Sequence, residues 1–160
     1  MRFVLSMLAF GAMLWAGLVL DVGVSEFVQI FGARPEFVLI VLFVHSLLWR
    51  PMAATFGGFF AGLSQGALVG ANLTHYVISR AFGAFALSGS RALGYELNAL
   101  LVGIVCALAT VGTRLVFMFL APPASIPVYL GATIGSGLYN GLIAIPLFAL
   151  LRRLYESKQV

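Results

Sequence analysis

The sequence predicts an all-α integral membrane protein with six transmembrane helices and both termini in the cytoplasm. Three observations carry this expectation. Hydrophobic side chains make up 62% of the 160 residues and charged ones only 9%, with a mean hydropathy of +1.08, far from the composition of a water-soluble domain. The apolar residues fall into runs near the roughly 20 that a helix needs to cross about 30 Å of hydrocarbon. Five of the six prolines, and most of the charges, sit in the breaks between those runs. A chain of this length makes one membrane domain, residues 1–160, ending in a basic cytoplasmic tail at 152–160.

The first helix runs over about 3–20. A basic start followed by an apolar run is also the pattern of a signal peptide, but no small-x-small cleavage site precedes Asp21, so the segment is expected to be retained. Asp21 to Arg34 is the most polar stretch before the tail, and its "EFVQIF" has room for one turn of helix at the interface. Pro35 suits the first turn of a new helix, expected over 35–49, which is short and apolar except for Glu36, His45 and Ser46. Arg50-Pro51 closes it, because the residue before proline is driven out of helical geometry.

Met52 to Ser88 is 37 residues with Arg80 as its one charge. A single helix of that length would be about 55 Å long, nearly twice the membrane, so the chain must fold back. The polar group Asn72-Leu73-Thr74-His75 is the natural turn, giving helices at 52–71 and 74–88. "SGSRALGYE" reads as the next loop. The fifth helix is expected over 97–121; Pro122, Pro123 and Pro127 mark a turn, and the sixth runs over 128–151 with Pro146 as a tolerated kink.

Six spans agree with the positive-inside rule. With the amino terminus inside, Arg2, Arg50, Arg91, Arg152, Arg153 and Lys158 are cytoplasmic, and Arg80 lies nearest that side. The outer loops keep Arg34 beside Asp21, Glu26 and Glu36. Five spans would export the basic tail.

Glycines recur every fourth residue at Gly58, Gly62, Gly66 and Gly70. Lipid supplies no hydrophobic force between helices, so close backbone approach across small residues supplies the packing energy instead. Gly131 and Gly135, Gly137 and Gly141, and Ala12 and Ala16 repeat the device. These faces are expected to pack within the chain or against another protein's helix.

Buried polar groups are the other expense. An arginine at mid-membrane costs about 2.5 to 3.5 kcal/mol on insertion scales. Arg114 and Arg80 are the clearest cases, either as functional groups or as anchors that snorkel, Arg80 to the inner face and Arg114 to the outer. His45, Gln65, Asn72, His75, Glu96, Asn98, Tyr139 and Asn140 are candidates for a polar interior or for hydrogen bonds across helices.

Catalysis is not expected. His45 and His75 lie on different helices with no nearby carboxylate to orient them as metal ligands. Gly135-Ser136-Gly137 is similar to the serine loop of rhomboid proteases, but Ile134 stands where that family has glycine, and no later histidine exists to act as base. Cys106 has no partner for a disulfide or a thiolate site. No phosphate loop or nucleic-acid patch is present, and no cofactor is expected; the pI near 9.7 reflects the inner arginines.

Residues 33–85, from "ARPEFVLIVLF" through "GGFFAGLSQGALVGANLTHYVISRAFGAF", resemble the rod-shape-determining MreD family. The similar features are Pro35-Glu36 at the start of the second helix, Trp49-Arg50 at its end, Gly58 to Leu63 as "GxxxGL", and the polar patch from Asn72 to His75. "GLYNGLIAIPLFALLRRL" at 137–154 is also similar. Many members carry aspartate where this chain has Gly66.

The resemblance implies a non-catalytic scaffold of the bacterial inner membrane that binds the single-span protein MreC. It would act with a RodA-type glycosyltransferase and a class B penicillin-binding protein in cell elongation, among membrane lipids and without nucleic acid. It also implies the six-helix bundle of the S-components of energy-coupling-factor transporters. A vitamin-binding subunit of that kind is therefore the rival expectation, and Ala12/Ala16 is similar to the motif by which such subunits dock. Fold alone does not separate the two.

Overall fold

A computed structural model of the protein describes residues 2–94 and 96–156, with the side chains of 2–5 and 154–156 outside the description. Six α-helices follow one another: α1 (Arg2–Gly23), α2 (Phe37–Ser46), α3 (Pro51–Val69), α4 (Leu73–Ser90), α5 (Ala99–Leu120) and α6 (Ile126–Glu156), with a single 3-10 turn at Arg91–Leu93. Among the described residues there is no strand, only an isolated antiparallel bridge between Ile30 and Ala33.

Four of the six helices are long and apolar enough to cross a membrane: Ser6–Gly23 within α1, α3, α5, and Ile126–Arg153 within α6. The protein is thus an all-helical, membrane-embedded, multi-pass chain. The other two helices fall short for different reasons. α2 has ten residues, about 15 Å, while α4 is 18 residues long but is diluted by His75, Ser79 and Arg80.

α2 is the axis of the bundle. Its "FVLIVLFV" is apolar on every side, the pattern of a helix with no solvent or lipid face, and residues from Val38 to Leu47 are buried all round. It touches all five other helices. Around it, α3 with α4 and α5 with α6 form two antiparallel hairpins, the most extensive helix pairs in the molecule. α1 lies at the periphery, packs chiefly on α2, and buries only 17% of its spanning window. Cys106 of α5 is fully buried in this core.

The breaks differ in detail from the sequence expectations. The stretch after α1 makes hydrogen-bonded turns from Val24 to Val28 rather than a helical turn at "EFVQIF", and Phe31 and Gly32 follow at positive φ. The α3–α4 connection is tighter than a turn at 72–75: Gly70 (φ 70°) and Asn72 (φ 56°) both take left-handed geometry, and α4 starts at Leu73. Gly70 is therefore the C-cap of α3, where glycine avoids the Cβ penalty, and it is not part of a helix contact. Pro127 stands in the first turn of α6 instead of before it, where its missing N–H costs nothing. At the other end α6 continues through Arg152 and Arg153; residues 157–160 of the expected tail, with Lys158, lie outside the described residues.

Candidate functional site

Small residues first bring the helices close enough for polar groups to meet. A Cβ at Gly58 would lie 2.5 Å from the Arg80 carbonyl oxygen, at Gly62 2.6 Å from that of Tyr76, and at Gly66 2.8 Å from Cα of Leu73. Three of the four glycines are thus spent inside the chain, pressing α3 onto the backbone of α4. Gly137 and Gly141 do the same for α6 on α5, against Val111 and the carbonyl of Gly103, and Gly135 meets Ala33. Gly131 meets nothing within 4 Å, and Ala12 and Ala16 are exposed on the outer face of α1.

The close approach sets up a polar hub at one end of the bundle. The Glu36 carboxylate, at the N-cap of α2, is shared by two guanidinium groups. Arg80 Nη2 of α4 donates to Oε2 at 3.2 Å, and Arg114 Nη1 of α5 donates to Oε1. Of the two sequence expectations for these arginines, functional groups or anchors that snorkel to opposite faces, the second is not met: both turn inward to one acid, and Arg80 is only 3% exposed. The physical reason is cost. A desolvated guanidinium needs a counter-charge, and Glu36 is the one acid that both can reach.

Neutral groups complete the guanidinium shells. Arg80 donates from Nε to Gln65 Oε1 (2.9 Å) and from Nη1 to Ser79 Oγ (3.0 Å), and lies over the Tyr76 ring at 4.6 Å. Arg114 donates from Nε to Thr133 Oγ1 (3.2 Å) and from Nη1 to Ser136 Oγ (3.1 Å), and lies over the Tyr129 ring at 5.2 Å. Ser136, the centre of the glycine-serine-glycine triplet, is therefore an arginine ligand.

Backbone groups are tied in as well. Asn140 Oδ1 accepts from the Glu36 amide at 2.9 Å, and its Nδ2 donates to Thr110 Oγ1 at 3.1 Å, joining α6, α2 and α5. Asp21 at the end of α1 accepts from the amides of Phe37 (2.6 Å) and Val38 (3.4 Å), which α2 leaves unpaired at its first turn, and from Gln65 Nε2 (3.2 Å).

Beside the hub lies a cavity of about 520 Å³, within the range of small-molecule sites. Asp21, Glu36, Gln65, Arg80 and Arg114 are among its polar lining residues, and Leu18, Val22, Leu68 and Val69 among its apolar ones. Arg34 and Glu26 pair loosely at its rim (3.9 Å).

The expected polar residues divide accordingly. Arg80, Arg114, Asn140 and Gln65 belong to the hub. His75 lies beside it, its ring 6.5 Å from that of Phe117 and its buried Nδ1 without a hydrogen-bond partner among the described residues. His45 is at the opposite end among Phe10 and Trp49. Tyr139 bonds the carbonyl of Val28 outside both. Asp21 was legible only as an outer-loop charge and Glu36 as a charge at the start of the second helix; the signal for pairing Glu36 was two buried arginines in search of an acid. Among the described residues no group of three or more His, Cys, Asp or Glu is placed to hold a metal.

Compared with protein families, with curated proteins and with solved structures, the chain matches none.

Proposed function

We propose that the protein is a non-catalytic scaffold of the bacterial cell-elongation complex, of MreD type, with six spans and both termini in the cytoplasm. In this arrangement the short α2 is carried through the bilayer by the helices that enclose it, and α4 crosses with its arginine neutralised by Glu36. The single observation that carries the scaffold reading is the hub, whose charged and amide side chains are spent on one another in joining the helices. The Ala12/Ala16 face of α1, exposed among the described residues, can seat a second protein's helix in this reading and in the transporter reading alike. The partner named by the residue resemblance is MreC, with a RodA-type glycosyltransferase and a class B penicillin-binding protein beyond it, at the inner membrane.

Depletion in a rod-shaped bacterial host tests this directly. Round cells, together with retention of MreC on the purified protein, are expected, and Ala12→Leu with Ala16→Leu should release MreC while leaving the bundle folded. Normal rods on depletion would overturn the proposal. A reporter fused after Val160 should read cytoplasmic; an exported carboxyl terminus rules out six spans.

The cavity supports a second reading, a small-molecule-binding subunit of S-component type. Such a subunit would co-purify with ATPase components in place of MreC, and its loss would leave cell shape unchanged.

A further inference from the structure

We propose that the cavity beside Glu36 binds an anionic group, a carboxylate or phosphate, borne on an apolar body, with Arg114 as the contacting residue. Counted over the whole lining, the charges cancel: Asp21, Glu26 and Glu36 against Arg34, Arg80 and Arg114. Counted by contact, they do not. Glu26 and Arg34 face each other at the rim. Asp21 is occupied by two amides of α2 and by Gln65, with no guanidinium on it. That leaves two guanidinium groups on the single carboxylate of Glu36.

The surplus positive charge has an address. Arg80 is engaged at Nε, Nη1 and Nη2. Arg114 is engaged at Nε and Nη1 and has the Tyr129 hydroxyl beside it, itself donating to the Arg114 carbonyl (3.0 Å); among the described residues no carboxylate and no carbonyl meets its Nη2, while the side chain lines the cavity and is 13% exposed. A guanidinium with N–H groups that no second carboxylate takes up, held in place by Thr133, Ser136 and Tyr129, is preorganised for an oxyanion and loses little freedom on binding one. Leu18, Val22, Leu68 and Val69 also line the cavity and suit a hydrocarbon body.

A lipid headgroup and a free small anion share this chemistry. The inference rests on neither functional reading above, since the occupant would be an effector of a scaffold or the cargo of a transporter. Cell shape and anion binding therefore fail separately.

The test is thermal unfolding of the full chain in phosphatidylcholine nanodiscs, with inorganic phosphate against chloride at equal ionic strength, and in nanodiscs containing one-fifth phosphatidylglycerol. A saturable rise in the midpoint is expected from at least one probe, as mass action requires of a ligand selective for the folded state. Phosphate alone raising it identifies a free anion; phosphatidylglycerol alone identifies a headgroup; both identify the shared anion chemistry. Arg114→Gln, which leaves one arginine on one carboxylate, should abolish the rise. No rise from either probe, or the same rise in Arg114→Gln, would overturn the proposal. Should that variant not fold, Val22→Trp at the exposed mouth narrows the cavity without touching an ion pair. It is expected to reduce the rise at least threefold at a fixed subsaturating probe concentration, and an unchanged rise there overturns the proposal equally.

Discussion

The two ends of α2 show opposite ways of accommodating polar groups in an apolar bundle. At its start, Glu36 gathers two arginines, each with further hydrogen bonds, beside an open cavity. At its finish, His45 is sealed among Phe10 and Trp49 at ring-centroid distances of 5.2 and 5.4 Å. Its Nδ1 meets the Val41 carbonyl (2.8 Å), and its Nε2 has no partner among the described residues. The sealed end is held instead by Trp49, whose indole donates to Ser6 (2.9 Å) and whose carbonyl accepts from Ser88 (2.7 Å), linking α1 and α4. Charge demands a network because an isolated ion cannot stay dry; a neutral imidazole can be enclosed with one bond, at modest cost.

The difference is open to direct attack, in descending order of effect. Glu36→Gln leaves two buried guanidinium groups facing an amide and should cost about 3 to 5 kcal/mol in unfolding measurements. Adding Arg114→Gln to it should recover part of that loss, and a purely additive pair would show that the hub is not one electrostatic unit. Next come the glycines at each end. Gly62→Ala drives a methyl into the backbone of α4 at the hub end and should cost roughly 1 to 3 kcal/mol. Gly57→Ala at the sealed end meets the edge of the Trp49 ring at 2.9 Å, a side chain that can shift, and should cost less. Equal losses would mean that the two ends are equally rigid.

His45→Leu swaps a partly satisfied imidazole for an apolar group of similar size and should move stability by less than about 1.5 kcal/mol. A loss as large as that from Glu36→Gln would erase the distinction between the ends. Glu26→Ala, removing an exposed pair at 3.9 Å, should change stability by no more than about 0.5 kcal/mol.

Much of this was legible in the sequence because it is governed by local rules. Six helices, the fold-back within 52–88 and the α3 glycine face follow from run length, turn chemistry and spacing. Boundaries slipped where a single residue decided them: Gly70 ends α3 and Asn72 restarts the chain, so the turn falls earlier than its polar residues suggest. Ala12/Ala16 and Gly58/Gly62 have the same spacing, yet one pair is exposed and the other is buried against α4; spacing says that a face permits contact and not which helix fills it. The hub was the least legible part. Glu36 is 44 residues from Arg80 and 78 from Arg114, separations over which no periodicity speaks.

The burial of Cys106 gives the protein a property useful to the chemist. It is the chain's only thiol, and it is fully enclosed between helices. An impermeant maleimide added to intact cells should therefore leave the unaltered protein unlabelled. Cysteines introduced singly at exposed Phe27, Leu93 or Ala124 would then report their side of the membrane against a silent background.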